Sequence, residues 1–410
     1  MPIRAPEVLT FGCRLNSAES EEMRRLALAS GLENAIIVNT CAVTAEAERQ
    51  AGQAIRRAKR EHPEAQIIVT GCASQINAAK FASMREVDGV IPNDRKLDPQ
   101  SFKKLAHQNA ASKRMDDPLP PLAHMQRAFI QIQNGCDHQC TFCIIPFGRG
   151  ASRSFALERI IEQLHARMAD GFKEAVLTGV DIASYGRDLP GKPTLGALIG
   201  KILAEAPSLP RLRLSSMDPA AFDEDLWRLI ADEPRLMPHL HLSLQSGDDL
   251  ILKRMKRRHS RADVLALCRR ARELRPDIVF GADIIAGFPT ETDAMFENTW
   301  NLVRECGLTW LHIFPYSSRK GTAAARMPQV QGAVRLERAE RLRAFGEKAA
   351  KEHHKSLVGK TVSVLVENNG IGCTPHFAKL TLRGKAPVGH IVNAACVGVE
   401  KNTAVAEFEV

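Results

Sequence analysis

Nowhere in the 410 residues does an apolar run approach the roughly 20 positions that a membrane-spanning helix needs. The opening, Met1 to Gly12, has no long apolar stretch behind a basic flank, so no secretory leader is expected. Both absences argue against a membrane partner and predict a cytoplasmic address. What is present suits a globular chain. With 44% hydrophobic and 25% charged residues there is material for a large core, and the length suggests two to four domains. The formal charge of +9 favours a polyanionic partner, because each neutralised phosphate releases a counterion.

Ten cysteines stand out. Disulfides are scarce in a reducing compartment, so clustered cysteines read as metal ligands or catalytic groups. Three of them close a repeated pattern, in which an apolar strand-like run ends in small or polar residues and a cysteine, and a helix-like segment follows. The three runs are Val8 to Cys13, Ile36 to Cys41 and Ile67 to Cys72. After Cys13, Asn16 and Glu19 have the spacing of a capping box, Met23, Leu26 and Ala27 form an apolar stripe, and Gly31 suits the helix end. After Cys41, Thr44 can cap a helix that must stop near Pro63. Alternating strands and helices indicate a parallel sheet, whose ligands sit at the carboxyl ends of its strands. Cys13, Cys41 and Cys72 all fall there and can converge on one point. The alternative is three separately buried structural thiols.

A looser stretch with Pro118, Pro120 and Pro121 reads as a linker. Six further strand-like runs follow: Ala128–Gln133, Glu174–Thr178, Arg211–Ser215, His239–Leu244, Ile278–Ile285 and Trp310–Phe314. Helical patterns between them, such as 156–168 and 261–274, suit a partial (β/α)6 barrel with its chemistry at the strand ends. A charged helix-like stretch, about 333–356, leads to four short β-like runs, which suggest a small all-β barrel of a kind used on single-stranded nucleic acid. Cys268, Cys306, Cys373 and Cys396 have no partner at metal spacing and read as buried small hydrophobes.

Cys136, Cys140 and Cys143 form a CxxxCxxC set just after the first strand of the middle region. Three thiolates at this spacing can ligate three irons of a cubane and leave the fourth open. Zinc is the alternative, with His138 as a fourth ligand, although zinc ligands usually come as pairs separated by a long spacer.

CxxxCxxC with Phe142 just before the last cysteine resembles the radical S-adenosylmethionine superfamily. The continuation Ile144-Ile145-Pro146-Phe147-Gly148-Arg149-Gly150, with the upstream set of Cys13, Cys41 and Cys72, is similar to the methylthiotransferases within it. Further matches are Thr178-Gly179-Val180-Asp181, Ser215-Ser216-Met217-Asp218-Pro219, His241 to Gly247 and Gly281 to Pro289. The tail resembles the RNA-binding TRAM domain. Phe314-Pro315-Tyr316-Ser317, Gly321-Thr322-Ala323 and Arg326-Met327 look most like the branch acting on threonylcarbamoyladenosine beside the tRNA anticodon. Sister branches modify isopentenyladenosine in tRNA or an aspartate of a ribosomal protein. There are departures: Thr290 stands where many members have glycine, which could relax a tight backbone approach, and Phe155 where many have arginine.

The resemblance implies an α/β protein with three domains: an N-terminal methylthiotransferase domain (1–111), a radical S-adenosylmethionine domain (122–356) and a TRAM-like barrel (357–410). It implies two [4Fe-4S] clusters. The one on Cys136, Cys140 and Cys143 would bind and cleave S-adenosyl-L-methionine, and the one on Cys13, Cys41 and Cys72 would hold the sulfur to be methylated and transferred to C2 of the base. Phe142, Gly179, Ser216, Gln245, Gly281 and Gly287 are the implied cofactor contacts, and no catalytic side chain is assigned beyond the cluster ligands. The implied partners are the tRNA anticodon loop and an electron donor such as flavodoxin or ferredoxin. The basic run Lys253 to His259 is either a solvated face or a grip on tRNA phosphates. Asp181, Asp218 and Asp283 are either site residues or ordinary capping and loop-pairing groups. Two rivals remain: a non-enzymatic RNA-binding protein with zinc-stapled loops, and a radical enzyme whose N-terminal cluster only relays electrons.

Overall fold

The computed structural model describes residues 5–108 and 126–408, which fall into two compact units. The first is Met1–Pro120 with Asn134–Ser152 and Ser317–Thr322; the second is Pro121–Gln133, Arg153–Tyr316 and Ala323–Val410. The expected proline-rich linker lies outside the described residues, as does the end of the last expected strand. Among the described residues no helix is long and apolar enough to cross a membrane.

The first unit is built on a parallel sheet of β1 (Glu7–Thr10), β2 (Ala35–Thr40), β3 (Gln66–Gly71) and β4 (Gly89–Val90), in sequential order. Ile36, Val38, Ile67 and Val69 pack with Ile55 and Ala58, whereas Ile37 and Ile68 pack with Met23, Ala27 and Phe102. Both faces are therefore covered, which is why these strands read as unbroken apolar runs rather than as alternation. Helix α1 (Arg14–Ala29) follows β1, and α2 (Ala45–Glu61) follows β2. Thr44 caps α2 by accepting from the Ala47 N–H at 3.1 Å, and the helix stops before Pro63 as expected. The capping box expected of Asn16 and Glu19 does not form. Cys13 occupies the N-cap, and both side chains are buried inside α1. They are held by polar contacts to other segments, which outweigh any local cap.

In the second unit, strands β5 (Ala128–Gln131), β6 (Glu174–Thr178) and β7 (Arg211–Leu214) pair in parallel, as do β8 (His239–Gln245), β9 (Val279–Ala286) and β10 (Leu308–Pro315). A parallel bridge between Met217 and Leu242 joins the two triplets, giving the expected six-strand progression. Leu240, Leu242 and Leu244 point into the helical layer, which leaves His239, His241, Ser243 and Gln245 on the opposite face of β8. Helix Gly332–Leu357 leads to a closed five-stranded barrel of β11 (Thr361–Val366), β12 (Ile371–Cys373), β13 (Lys379–Arg383), β14 (Ile391–Glu400) and β15 (Thr403–Glu407). β12 was not anticipated, because its three residues are too few to show alternation.

The barrel is fastened to the parallel strands by buried charge. Glu174 accepts from Arg127 Nε at 2.6 Å and Arg213 Nε at 2.7 Å. Arg211 donates to Ser363 Oγ and to the Cys373 carbonyl, and Arg213 donates to the carbonyls of Thr374 and Pro375. Burial pushes the Glu174 carboxyl up, but Arg213 and Arg127 outweigh it and hold the group below the usual range.

Candidate metal centres

Cys13, Cys41 and Cys72 each follow the carboxyl end of a parallel strand, and Cys72 opens the short helix α3 (Cys72–Ile76). Gly12 and Gly71, one residue before Cys13 and Cys72, hold φ of 100° and 101°. A Cβ at Gly12 would lie 2.6 Å from Cys41 Sγ, and one at Gly71 would strike the Thr40 backbone, so only glycine fits either position. Cys41 and Cys72 are buried and Cys13 is exposed. Burial pushes the Cys41 thiol up to about 11, the Val43 N–H partly offsets this, and the thiolates of Cys13 and Cys72 are close enough to push it further. Three soft donors thus stand at the ends of neighbouring parallel strands beside two glycines, two of the thiols buried and one exposed. A buried thiol gives up its proton to a metal far more readily than to water. The donor set fits an iron–sulfur cluster with one iron left accessible.

The second set sits on a loop that closes on itself. The Cys136 N–H donates to Gly150 O at 3.1 Å, Cys143 N–H to Cys140 O at 3.0 Å, and Ser152 N–H to Asp137 Oδ1 at 2.9 Å. Gly135, at φ 72°, has no room for a Cβ beside the Ala151 carbonyl. All three thiols are half-buried and every ligand comes from one short loop, so this set also fits a cubane with a free corner. Phe142, in the same loop, is half-buried too.

Both sets belong to the first unit. Helix α4 (Ile145–Arg149), which follows Cys143, lies against α3. Ile144 is buried in the same apolar cluster as Cys72, and a Cβ on Gly148 would sit 3.2 Å from that of Cys72. Arg149 then turns inward. Its guanidinium donates to Glu19 at 2.7 and 2.8 Å, to Asn16 Oδ1 at 2.5 Å and to Asn134 Oδ1 at 2.9 Å, and Lys96 Nζ lies 2.6 Å from the same Glu19. Burial pushes the Glu19 carboxyl up, yet Lys96 and Arg149 together hold it at about 2. Sequence reasoning missed this network. Arg149 was noted only as part of a motif, and Asn16 and Glu19 were assigned to a cap.

In the second unit the remaining implied contacts cluster at strand ends. Gly179 follows β6 and is tight against Gln133, whose Oε1 accepts from the Val180 and Asp181 N–H groups at 3.0 and 2.9 Å. Gln245 ends β8 with φ 71°, an uncommon conformation for a residue with a Cβ, where the pairing with β9 shifts register. Gly287 lies just past β9 with φ 71° and donates its N–H to Glu291. Gly281 owes its lack of a side chain to His241, whose Nδ1 occupies the space. Ser216 donates to Asp283 Oδ2 at 3.3 Å, and Asp283 also lies 3.0 Å from His241 Nε2 and 3.3 Å from His312 Nδ1. Their three ligand atoms fall within 4.8 Å of one another, a grouping that could hold a cation.

Several expectations need correction. The run Lys253 to His259 is not a uniform solvated face. Arg257, Arg258 and His259 surround the buried Asp218 at 3.4, 3.0 and 3.8 Å, and Arg254 donates to Thr290 Oγ1 at 2.7 Å. Only Lys253, Lys256 and Arg258 are exposed. Thr290 does not relax the turn, because it keeps the left-handed backbone at φ 72°, tied by Pro328 O and Arg254. Cys268 and Cys306 are buried as expected, and the neighbouring Cys306, then burial, pushes the Cys268 thiol up.

Residues 130–303 match the radical SAM superfamily, and residues 6–92 match an uncharacterized protein family, UPF0004. The threonylcarbamoyladenosine tRNA methylthiotransferase MtaB of Rickettsia prowazekii (strain Madrid E) is 50% identical over 402 residues, covering 96% of this chain and 95% of that protein. The tRNA-2-methylthio-N(6)-dimethylallyladenosine synthase of Novosphingobium aromaticivorans is 32% identical, covering 97% and 95%. Among solved structures, the radical S-adenosylmethionine methyltransferase TsrM of Kitasatospora setae aligns with a TM-score of 0.51 at 16% identity, over 76% of this chain and 68% of that one, a likeness of fold alone. With half of its residues shared along nearly its whole length with the first of these, the chain belongs to the MtaB family of tRNA methylthiotransferases within the radical SAM superfamily.

Proposed function

We propose that the protein adds a methylthio group to C2 of N6-threonylcarbamoyladenosine beside the tRNA anticodon, using two [4Fe-4S] clusters and S-adenosyl-L-methionine. The observation that carries this reading is the pair of three-thiol sets in one unit, each a ligand short of closing a four-iron cubane. The 50% identity to a threonylcarbamoyladenosine enzyme, against 32% to a dimethylallyladenosine enzyme, supports the substrate. When bound, the clusters and S-adenosyl-L-methionine supply one-electron chemistry and sulfur, which no acid–base side chain can provide at an unactivated C–H bond.

The chain's own residues do the holding and shaping. Cys136, Cys140 and Cys143 would hold one cluster, with Phe142, in the same loop, offered to the cofactor. Cys13, Cys41 and Cys72 would hold the other, with Cys13 the exposed member of the three. Gly179, Ser216, Gln245, Gly281 and Gly287, at or near strand ends of the second unit, would offer backbone and polar groups to S-adenosyl-L-methionine. The β11–β15 barrel approaches the tRNA, and a flavodoxin- or ferredoxin-like donor delivers electrons in the cytoplasm.

Replacing Cys13, Cys41 and Cys72 together with alanine tests the division of labour. Iron should fall by about half, S-adenosyl-L-methionine should still be cleaved on reduction, and no methylthio product should form. If labelled cluster sulfide never enters the product of the unaltered enzyme, the N-terminal set only relays electrons. Colourless protein containing zinc would overturn the enzyme assignment altogether.

A further inference from the structure

The buried network between the two cysteine sets carries an unbalanced charge. Arg149 and Lys96 are both fully buried cations, and their shared ion-pair partner, Glu19, supplies one negative charge. An uncompensated buried charge is costly, so the surplus calls for a further anion close by. The ligand thiols of Cys72 and Cys13, which are anionic once a metal is bound, are the candidates for it. Geometry agrees. Asn16 Oδ1 accepts from Arg149 Nη2 at 2.5 Å and lies 3.9 Å from Cys13 Sγ, so guanidinium and thiol are separated by no more than these two contacts in series. On the other flank, Gly148 packs directly on Cys72.

We propose that Arg149, steered by Glu19 and Asn16 and seconded by Lys96, is the built-in counter-charge of the anionic cluster held by Cys13, Cys41 and Cys72, and that it sets that cluster's reduction potential. The inference rests on the cluster reading above. Three thiolates around an iron–sulfur core leave net negative charge, and each added electron makes it more negative. A fixed cation in a dry site favours the reduced form. Arg149 also ends the helix that begins two residues after Cys143, so the loop carrying the second set must be in place before the counter-charge is. Arg149 is a positioning and tuning residue and need not touch substrate.

The test uses the full-length chain with Cys136, Cys140 and Cys143 replaced by alanine, so that one cluster is read by electron paramagnetic resonance during a redox titration. Arg149→Met should move the reduction equilibrium at least tenfold toward the oxidised cluster, a drop of about 59 mV for one electron. Glu19→Gln, which keeps shape and frees more positive charge, should shift it upward. Shifts of opposite sign at retained iron content are what a counter-charge gives and what mere loosening of the fold does not. Unchanged potentials, or a shift of the same sign in both variants, would overturn the inference while leaving the cluster in place. Should Arg149→Met lose its iron, the Glu19→Gln shift decides alone. No iron at all in the parent chain would overturn the cluster reading itself.

Discussion

At the scale of single residues, local rules hold until a buried partner outbids them. Thr290 keeps a backbone conformation suited to glycine because the Pro328 carbonyl and Arg254 tie it down. His353 shows the same tension in its proton affinity. Burial, then the neighbouring His376 and His354, push its pKa down to about 4 from an ordinary 6.5. A depressed histidine is protonated more readily when unfolded, so its contribution to stability is complete above about pH 6.5 and is lost as pH falls toward 4. Between pH 7.5 and 5 the melting temperature should fall further for the unaltered protein than for His353→Gln. The difference should be on the order of 1–2 kcal/mol, discounted for the ring's partial exposure. Equal losses in both proteins would show that His353 takes up its proton as readily folded as unfolded, so that its affinity is not depressed.

At the scale of elements, most of the fold was legible. Glu174–Thr178 and Thr361–Val366 emerge as strands with the expected bounds, and the helix Arg261–Leu274 likewise. Periodicity and turn residues suffice where the packing is apolar. The placement of the cysteines was legible for a related reason: strand ends and the CxxxCxxC spacing are written in sequence order. What surrounds them was not. Glu19 in α1, Lys96 after β4 and Arg149 in α4 meet only in space, and nothing in their local spacing announces it. Arg211 and Arg213 are a middle case. Two arginines on one face of the strand Arg211–Leu214 hint at a buried anion, and Glu174 is that anion. Removing it by Glu174→Leu leaves Arg211 and Arg213 without a carboxylate, while Arg127 keeps Glu367. The expected cost is about 3–5 kcal/mol in denaturant unfolding, reported first by loosening of the terminal barrel. A cost below about 1 kcal/mol would mean that the partners in the barrel suffice: Ser363 and the Cys373 carbonyl for Arg211, and the carbonyls of Thr374 and Pro375 for Arg213.

At the scale of the whole molecule, the first unit gathers both three-thiol sets into one body. The second unit pairs a six-strand parallel sheet with a closed barrel. The net charge of +9 suits an RNA partner, though part of the basic run expected to grip it is spent internally on Asp218. The substrate is decided most directly by profiling tRNA nucleosides by mass spectrometry in cells with and without this gene. Selective loss of 2-methylthio-N6-threonylcarbamoyladenosine, restored by the unaltered gene but not by one lacking Cys136, Cys140 and Cys143, is the expected result. Loss of the methylthio-isopentenyl nucleoside instead would keep the chemistry and move the substrate. No change in any methylthio nucleoside would contradict the assignment to tRNA.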